Sequence, residues 1–313
     1  MLIGKEPISF KKAVFISENA YYHNQLSYEA FNTYIQYLVK ISQAFRKANT
    51  LQNYSYSDSS EIAISASVFK IMKDSIFDTK HNLAIHPFIY DFEDSFAEND
   101  WSKMFVTKLL ATHTGNCHSL PFLYKILCEE QGVKAYLAYA PNHIYIKQRN
   151  KKDGWYNSEL TSGLFPIDAW IIASGYVSTQ TIKNSLYMDT LSQKQSLAQC
   201  IIDLARGYER LKKENYFDFV MMCCNTALKY NPNYVEGLLY KSETLKTQYD
   251  YYNATNTTEK AKKIYPEMQT AYVSLAKLDY REIPEEMYYQ WINSLEKNKE
   301  KYQNKEISDT FNK

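Results

Sequence analysis

The stretch Thr114-Gly115-Asn116-Cys117-His118-Ser119-Leu120-Pro121 is a polar turn that leads into an apolar pattern, with a cysteine at the junction. The apolar residues recur at helical spacing: Leu120, Leu123, Tyr124, Leu127 and Cys128. Pro121 is tolerated only in a first helical turn, and Gly132 lies where a helix commonly ends, so the helix should begin close to Cys117. Backbone N–H groups there favour a thiolate, which makes Cys117 a candidate nucleophile. The alternative is a structural cysteine, because free cysteine is among the most buried residue types.

A β-hairpin is predicted downstream of this helix. Residues 133–139 and 143–148 have the period-two pattern of strands, and Pro141-Asn142 separates them. A turn over residues 150–154 leads to a third strand over residues 155–160.

The register of the hairpin decides which side chains meet. Symmetry about Lys151 gives three opposed pairs: His143 with Glu159, Tyr145 with Asn157, and Lys147 with Trp155. Opposed Cβ atoms lie about 4.5 to 5.5 Å apart, so the Glu159 carboxylate could hold one ring nitrogen of His143 while the other nitrogen faces a sulfur. A one-residue slip would send Glu159 to the other face.

The pattern over residues 90–175 resembles the transglutaminase-like superfamily of the papain-like cysteine enzymes. The matching residues are Gly115, Cys117, His143, Gly154-Trp155 and Glu159. The resemblance implies an α+β fold in which the nucleophile helix packs on a small antiparallel sheet. It also implies a triad, with Cys117 as nucleophile, His143 as base and Glu159 as the orienting acid.

The chain departs from the family at the acid. The family usually has Asp followed by Pro, whereas this chain has Glu159-Leu160-Thr161. Asn157 on the same strand and Asp168 beyond the next loop are therefore alternative orienting residues.

Other side chains near the cysteine are candidates for the substrate cleft. Asn116 could donate to an oxyanion beside the Cys117 backbone N–H, and further cleft candidates are His118, Asn142, Trp155 and the aromatic, acidic loop of residues 86–94. His113 adds a potential metal ligand, but the spacing of a zinc site is missing, so neither a metal nor another cofactor is predicted.

The 313 residues predict two domains, with boundaries at 1–190 and 191–313. The first combines a helical N-terminal part with the transglutaminase-like core; its helices should follow Ser9, Ser27 and a capping box formed by Asp58 and Glu61.

The second predicted domain is a helical repeat region. A capping box, Ser192-Gln193-Lys194-Gln195, opens a helix, and a second helix from about Phe217 to Tyr230 ends at Asn231-Pro232. Gly207-Tyr208, Ala227 and Pro232 resemble the pattern of a tetratricopeptide repeat, which implies a peptide or protein partner or a buttress for the core. The tail from residue 297 is predicted as a fraying helix end.

Composition limits the classes of partner and compartment. The formal net charge of +1 does not favour nucleic acid or an anionic membrane, and no apolar run is long enough to span a bilayer. Five cysteines, two of them adjacent, do not form a disulfide framework, and the N-terminus lacks an apolar signal region, so a cytoplasmic location is expected. Export with a signal removed before residue 1 is the alternative.

Two functions follow. The first is a cysteine amide hydrolase, of peptidase type, or an acyl transferase that acts through a thioester on Cys117. The second is an inactive transglutaminase-like protein that binds a peptide or protein through its cleft and helical repeats.

We predict that Cys117 is the most reactive thiol of the native protein, because it alone pairs a helix start with a histidine. Iodoacetamide below neutral pH, followed by peptide mapping, should label Cys117 before Cys128, Cys200, Cys223 or Cys224. Faster labelling of any of the other four would identify a different nucleophile.

Overall fold

The computed structural model describes residues 1–51, 54–78, 83–211 and 216–312. These residues form a mixed helix and strand protein. The helices are α1 (Phe10–Tyr21), α2 (Tyr28–Ala48), α3 (Ser59–Lys73), α4 (Val106–Thr112), α5 (Ser119–Glu129), α6 (Asp168–Ile172), α7 (Thr179–Lys183), α8 (Gln193–Arg210), α9 (Tyr216–Tyr230), α10 (Val235–Ala254), α11 (Thr258–Lys277), α12 (Glu285–Lys297), α13 (Lys299–Tyr302) and α14 (Lys305–Asn312). A 3₁₀ helix spans Trp101–Met104. The strands are β1 (Ile76–Asp78), β2 (Leu83–Ile85), β3 (Ile89–Tyr90), β4 (Thr114–Gly115), β5 (Tyr136–Ala140), β6 (His143–Asn150) and β7 (Gly154–Ser158).

The chain divides into two compact units. The helical unit combines Met1–Gln25 with Ser178–Glu282, and the mixed unit combines Leu26–Val177 with Ile283–Lys313. These units differ from the predicted domains 1–190 and 191–313: α1 belongs with α8 in the helical unit, and α12 to α14 belong to the mixed unit. In the sequence, the second segment of the helical unit thus interrupts the mixed unit, and its first segment precedes it.

Helix starts in the first hundred residues follow local capping. The Ser9 and Ser27 hydroxyls accept from the backbone N–H groups of Lys12 and Ala30, as the sequence predicted. The prediction of a capping box at Asp58 is wrong. The Asp58 carboxylate instead accepts from the Tyr54 hydroxyl and the Lys151 backbone N–H, both at 2.8 Å, so it ties the start of α3 to the hairpin turn.

Strands β5, β6 and β7 form a three-stranded antiparallel sheet, and α5 packs against β5 and β6. The predicted hairpin exists, but its register is wrong: Lys147 faces Asn157 rather than Trp155, a shift of two residues. The turn is the cause. Asn150 pairs with Gly154, whose φ of +79° favours glycine, and the Asn150 Oδ1 accepts from the Asp153 N–H at 2.5 Å.

The C-terminal tail packs into the mixed unit. Ile307 and Phe311 lie one helical turn apart on α14 and are buried, so the prediction of a fraying end is wrong. The Phe311 ring contacts Phe165 at a centroid distance of 4.8 Å, and Phe165 contacts Phe69 of α3 at 4.5 Å. Two apolar residues four positions apart, Ile307 and Phe311, are sufficient to form a buried face in a segment otherwise rich in Lys, Glu and Asn.

The helical unit contains the helix pair predicted between residues 192 and 230, and a second pair follows it. Helix α8 packs on α9 and α10 packs on α11. At the start of α8 both halves of the predicted capping box form between Ser192 and Gln195. No helix in the described parts of the chain is long and apolar enough to cross a membrane.

The aromatic cluster generates a stability prediction. Phe165→Ala should lower the free energy of unfolding of the mixed unit by about 3 to 5 kcal/mol, because it opens a cavity among packed rings. Phe92→Ala is the matched control; this ring is 57% exposed, and its loss should cost about 1 kcal/mol or less. Urea titration followed by tryptophan fluorescence measures this unit, since all four tryptophans belong to it. Equal losses for the two variants would contradict the cluster's role.

Candidate active site

Asn116 caps the turn that carries the cysteine. Its Oδ1 accepts from the backbone N–H groups of His118 at 3.0 Å and Ser119 at 3.2 Å. The Ser119 Oγ in turn accepts from the Asn116 N–H at 3.1 Å, and the Leu120 N–H donates to the Asn116 carbonyl. These reciprocal bonds order the turn of residues 116–118, so Cys117 lies two residues before Ser119, the first residue of α5.

The same bonds occupy the Asn116 amide. Its Nδ2 donates to the Ser95 carbonyl at 3.1 Å and contacts the Met104 Sδ at 2.8 Å. The amide therefore holds the turn in place and does not act as the oxyanion donor that the sequence suggested. His118 is also structural here: its Nδ1 lies 2.9 Å from the Met104 carbonyl, and its ring packs on Phe122 at 4.0 Å.

Gly115 permits the close approach of the turn to α4 and α5. A Cβ on Gly115 would clash with the Ser119 Oγ and lie 2.9 Å from the Leu109 Cδ1. Gly115 also pairs with Tyr90 in the parallel bridge of β3 and β4, which brings Tyr90 beside the cysteine turn.

His143 and Glu159 form a buried pair. The His143 Nε2 lies 2.6 Å from the Glu159 Oε2, and both side chains are almost fully buried. The other carboxylate oxygen, Oε1, accepts from the backbone N–H of Thr161 at 2.9 Å and from its hydroxyl at 2.8 Å. The carboxylate is thereby fixed, and it fixes the imidazole.

The two-residue register shift does not separate this pair. Side chains alternate along a strand, so a shift by an even number leaves Glu159 on the same face as His143, in a diagonal position. Diagonal neighbours lie about 7 to 8 Å apart at Cα, within reach of a long side chain. The extra methylene of Glu, relative to Asp, suits this diagonal contact.

The alternative orienting residues lie elsewhere. Asn157 donates through Nδ2 to the Pro166 carbonyl at 3.0 Å and to the Asp168 Oδ1 at 2.8 Å. Asp168 is half exposed and lies 3.7 Å from the Lys147 Nζ. Of the three candidates, Glu159 is the one in contact with His143.

Three further candidate residues occupy three different places in the mixed unit. Asn142 is exposed at the turn between β5 and β6, with a φ of +53°. Trp155 is opposite Arg149 near the far end of β6, about 20 Å along the strand from His143. His113 lies between the Tyr34 hydroxyl and the His86 carbonyl, at 3.1 and 2.9 Å.

Aromatic residues complete the site; Tyr90 belongs to the predicted cleft loop of residues 86–94, whereas Tyr288 and Trp291 were not among the predicted site residues. The Tyr288 hydroxyl on α12 lies 3.0 Å from the His143 Nδ1 and 3.4 Å from the Tyr90 hydroxyl. The Trp291 ring lies edge-on to His143 at a centroid distance of 5.7 Å and stacks on Trp170 at 4.6 Å. Among 29 tyrosines no single one is conspicuous; the available signal was the helical spacing of Tyr288 and Trp291.

Cys117 completes the chain of contacts. His143 and Tyr288 both act on the ionisation of its thiol. Burial by itself raises the pKa of the thiol, but the hydrogen bond and charge of His143 outweigh it, with smaller contributions from Tyr288 and His118, so the pKa of Cys117 is lowered.

The pKa values of His143 and Glu159 are shifted in the directions that favour their charged forms. Burial lowers the pKa of His143, but the charge of Glu159 and the bonds to Cys117 and Glu159 reverse this, so the pKa of His143 is raised. Burial raises the pKa of Glu159, but the charge and hydrogen bond of His143, with the Thr161 bonds, lower it overall. The arrangement favours a thiolate, an imidazolium and a carboxylate in one row.

Within the described residues, no group of three or more His, Cys, Asp or Glu side chains is arranged to hold a metal ion.

Comparisons with protein-family models, curated proteins and solved structures found no match to this chain.

The pair generates a prediction about thiol reactivity. Glu159→Gln preserves the shape and removes the charge that raises the pKa of His143, so the imidazolium is lost more easily and the pKa of Cys117 moves up. Alkylation of Cys117 by iodoacetamide at neutral pH should therefore fall, and its pH profile should shift towards that of an ordinary thiol, about pH 8.5.

Asn157→Ala and Asp168→Asn are the controls for Glu159→Gln, because neither side chain touches His143. A pH profile that moves equally in all three variants would show that Glu159 has no special role.

Proposed function

We propose that this protein is a cysteine amide hydrolase or acyl transferase, and that its reaction is the hydrolysis of a peptide or peptide-like amide. One observation carries the proposal: the buried His143 bonds Glu159 through Nε2, its Nδ1 lies 3.0 Å from the Tyr288 hydroxyl, and it lowers the pKa of Cys117. A nucleophile, a base and a residue that orients the base are the minimum set for covalent acyl transfer.

The architecture supports a transglutaminase-like core. A cysteine lies at the N-terminus of a helix, that helix packs on an antiparallel sheet, and the histidine and acid lie on neighbouring strands of the sheet or just beyond them. Only the mixed unit takes part in this comparison. For the helical unit we propose a role in binding a peptide or protein, based on its paired helices α8 with α9 and α10 with α11.

The reaction follows from the contacts. His143 takes the proton of Cys117, and the thiolate forms a C–S bond with the carbonyl carbon while the C=O π electrons move to oxygen. The tetrahedral intermediate collapses, the C–N bond breaks, and the leaving amine takes the proton from His143. Water, or a second amine in a transferase, then attacks the thioester with His143 as base, and Cys117 is regenerated.

The test is formation of a thioester with an activated ester. p-Nitrophenyl acetate should acetylate Cys117, detected by intact mass and peptide mapping, and hydroxylamine should remove the acetyl group. Cys117→Ala should abolish the adduct, and His143→Gln should slow its formation about 10²- to 10⁴-fold, because the general base is lost.

Cys223→Ser is the matched control, since Cys223 lies on α9 in the helical unit. This variant should react like the wild type. Absence of an acetyl group on Cys117 in the wild-type protein would overturn the proposal and favour the binding protein.

A further inference from the structure

The catalytic arrangement lacks a second oxyanion donor to accompany the Cys117 backbone N–H, because the Asn116 amide is occupied by Ser95 and Met104. Acyl transfer needs such a donor, since negative charge develops on the carbonyl oxygen as the sulfur attacks. The Tyr288 hydroxyl is a polar group close to both reacting residues. It is 3.0 Å from the His143 Nδ1, and the charge of Cys117 acts on its pKa.

The direction of these hydrogen bonds follows from the charges. A His143 imidazolium carries N–H groups on both nitrogens, so Nδ1 donates towards the sulfur and the Tyr288 oxygen, while Nε2 donates to Glu159. The Tyr288 O–H then donates to the thiolate. The Tyr90 and Tyr288 hydroxyls lie 3.4 Å apart, and either can donate to the other; when the Tyr288 O–H bonds the thiolate, the Tyr90 O–H can donate to the Tyr288 oxygen and strengthen it as a donor.

Tyr288 remains a protonated donor where Cys117 is ionised. Burial first, and then the negative charge of Cys117, hold the pKa of Tyr288 well above its usual value. Its ring is fully buried and contacts Phe96 at a centroid distance of 5.0 Å, and one turn along α12 the Trp291 Nε1 donates to the Trp170 carbonyl at 2.9 Å. The hydroxyl is therefore held in place before substrate arrives, as an oxyanion donor requires.

We propose that Tyr288 is the oxyanion-stabilising residue of the Cys117 site, that its O–H moves from the thiolate to the carbonyl oxygen as the C–S bond forms, and that Tyr90 supports it as a positioning residue. In the tetrahedral intermediate the carbonyl carbon is bonded to Sγ, so its oxygen lies close to the sulfur. A hydroxyl beside the sulfur therefore needs only a small rotation to donate to that oxygen. This inference rests on the proposed acyl-transfer function.

Two reagents separate stabilisation of an oxyanion from activation of the thiol. Iodoacetamide alkylates a thiolate without forming an oxyanion, whereas p-nitrophenyl acetate reacts through a tetrahedral oxyanion. Both rates scale with the thiolate fraction, so the ratio of acetylation to alkylation at one pH is independent of the pKa of Cys117. Tyr288→Phe retains the ring and should lower this ratio about 100-fold, and Tyr90→Phe should lower it about 3- to 10-fold.

Tyr176→Phe is the matched control, because its hydroxyl donates to the Met287 Sδ on the same helix at 3.2 Å. Its ratio should equal that of the wild type. An unchanged ratio in both Tyr288→Phe and Tyr90→Phe would overturn the inference and leave the proposed function intact, as would a higher ratio, which would mean that the hydroxyl obstructs the substrate. If Tyr288→Phe does not fold, the Tyr90→Phe ratio decides alone. Failure of the wild type to form acetyl-Cys117 would instead overturn the proposed function together with the inference.

Discussion

The buried contact between His143 and Glu159 is the interaction on which the mixed unit depends. A carboxylate and an imidazole 2.6 Å apart, with almost no exposure to solvent, are stable only if each remaining polar atom has a partner. Thr161 supplies two donors to the carboxylate, and Tyr288 faces the free ring nitrogen. Loss of Thr161 or Tyr288 as a partner would leave a polar atom of this buried pair without a hydrogen bond. The packing around the pair therefore has to keep these partners in place.

Those elements come from distant parts of the chain. Tyr90 reaches the site through the parallel bridge with Gly115, and Cys117 follows directly on that bridge. Helix α12 returns after the whole helical unit has been inserted, and it places Tyr288 and Trp291 beside His143. The site is therefore complete only when the last segment of the chain has packed onto the mixed unit. The contacts of α12 with the core include the stacked indoles of Trp170 and Trp291 and the hydrogen bond from the Trp291 Nε1 to the Trp170 carbonyl.

The electrostatics of the site reflect a balance between burial and neighbouring charge. Burial opposes every ionised form, so each of Cys117, His143 and Glu159 would be neutral if it were alone. Together they reverse this, because each charge is adjacent to one of the opposite sign. The pKa of the thiol is thus lowered by its partners and not by solvent, and the low local dielectric strengthens every contact in the row.

The sequence by itself determined the local features: the helix start at Cys117, the hairpin, and the shared face of His143 and Glu159. These features depend on periodicity and on turn chemistry. The prediction that His143 and Glu159 share a face holds although the predicted register was wrong, because a shift of two residues leaves a side chain on the same face of a strand. The capping boxes show the limit of local reasoning, since Ser192 forms one whereas the Asp58 carboxylate is drawn to the hairpin turn. Only the tertiary structure decided the rest. In the folded protein the Asn116 amide is bonded to other groups, and Trp155 lies near the far end of β6. Tyr90 and Tyr288 lie close to each other at the site. The physical reason is that such contacts join residues separated by long stretches of chain, and the packing that selects them leaves no local pattern in the sequence.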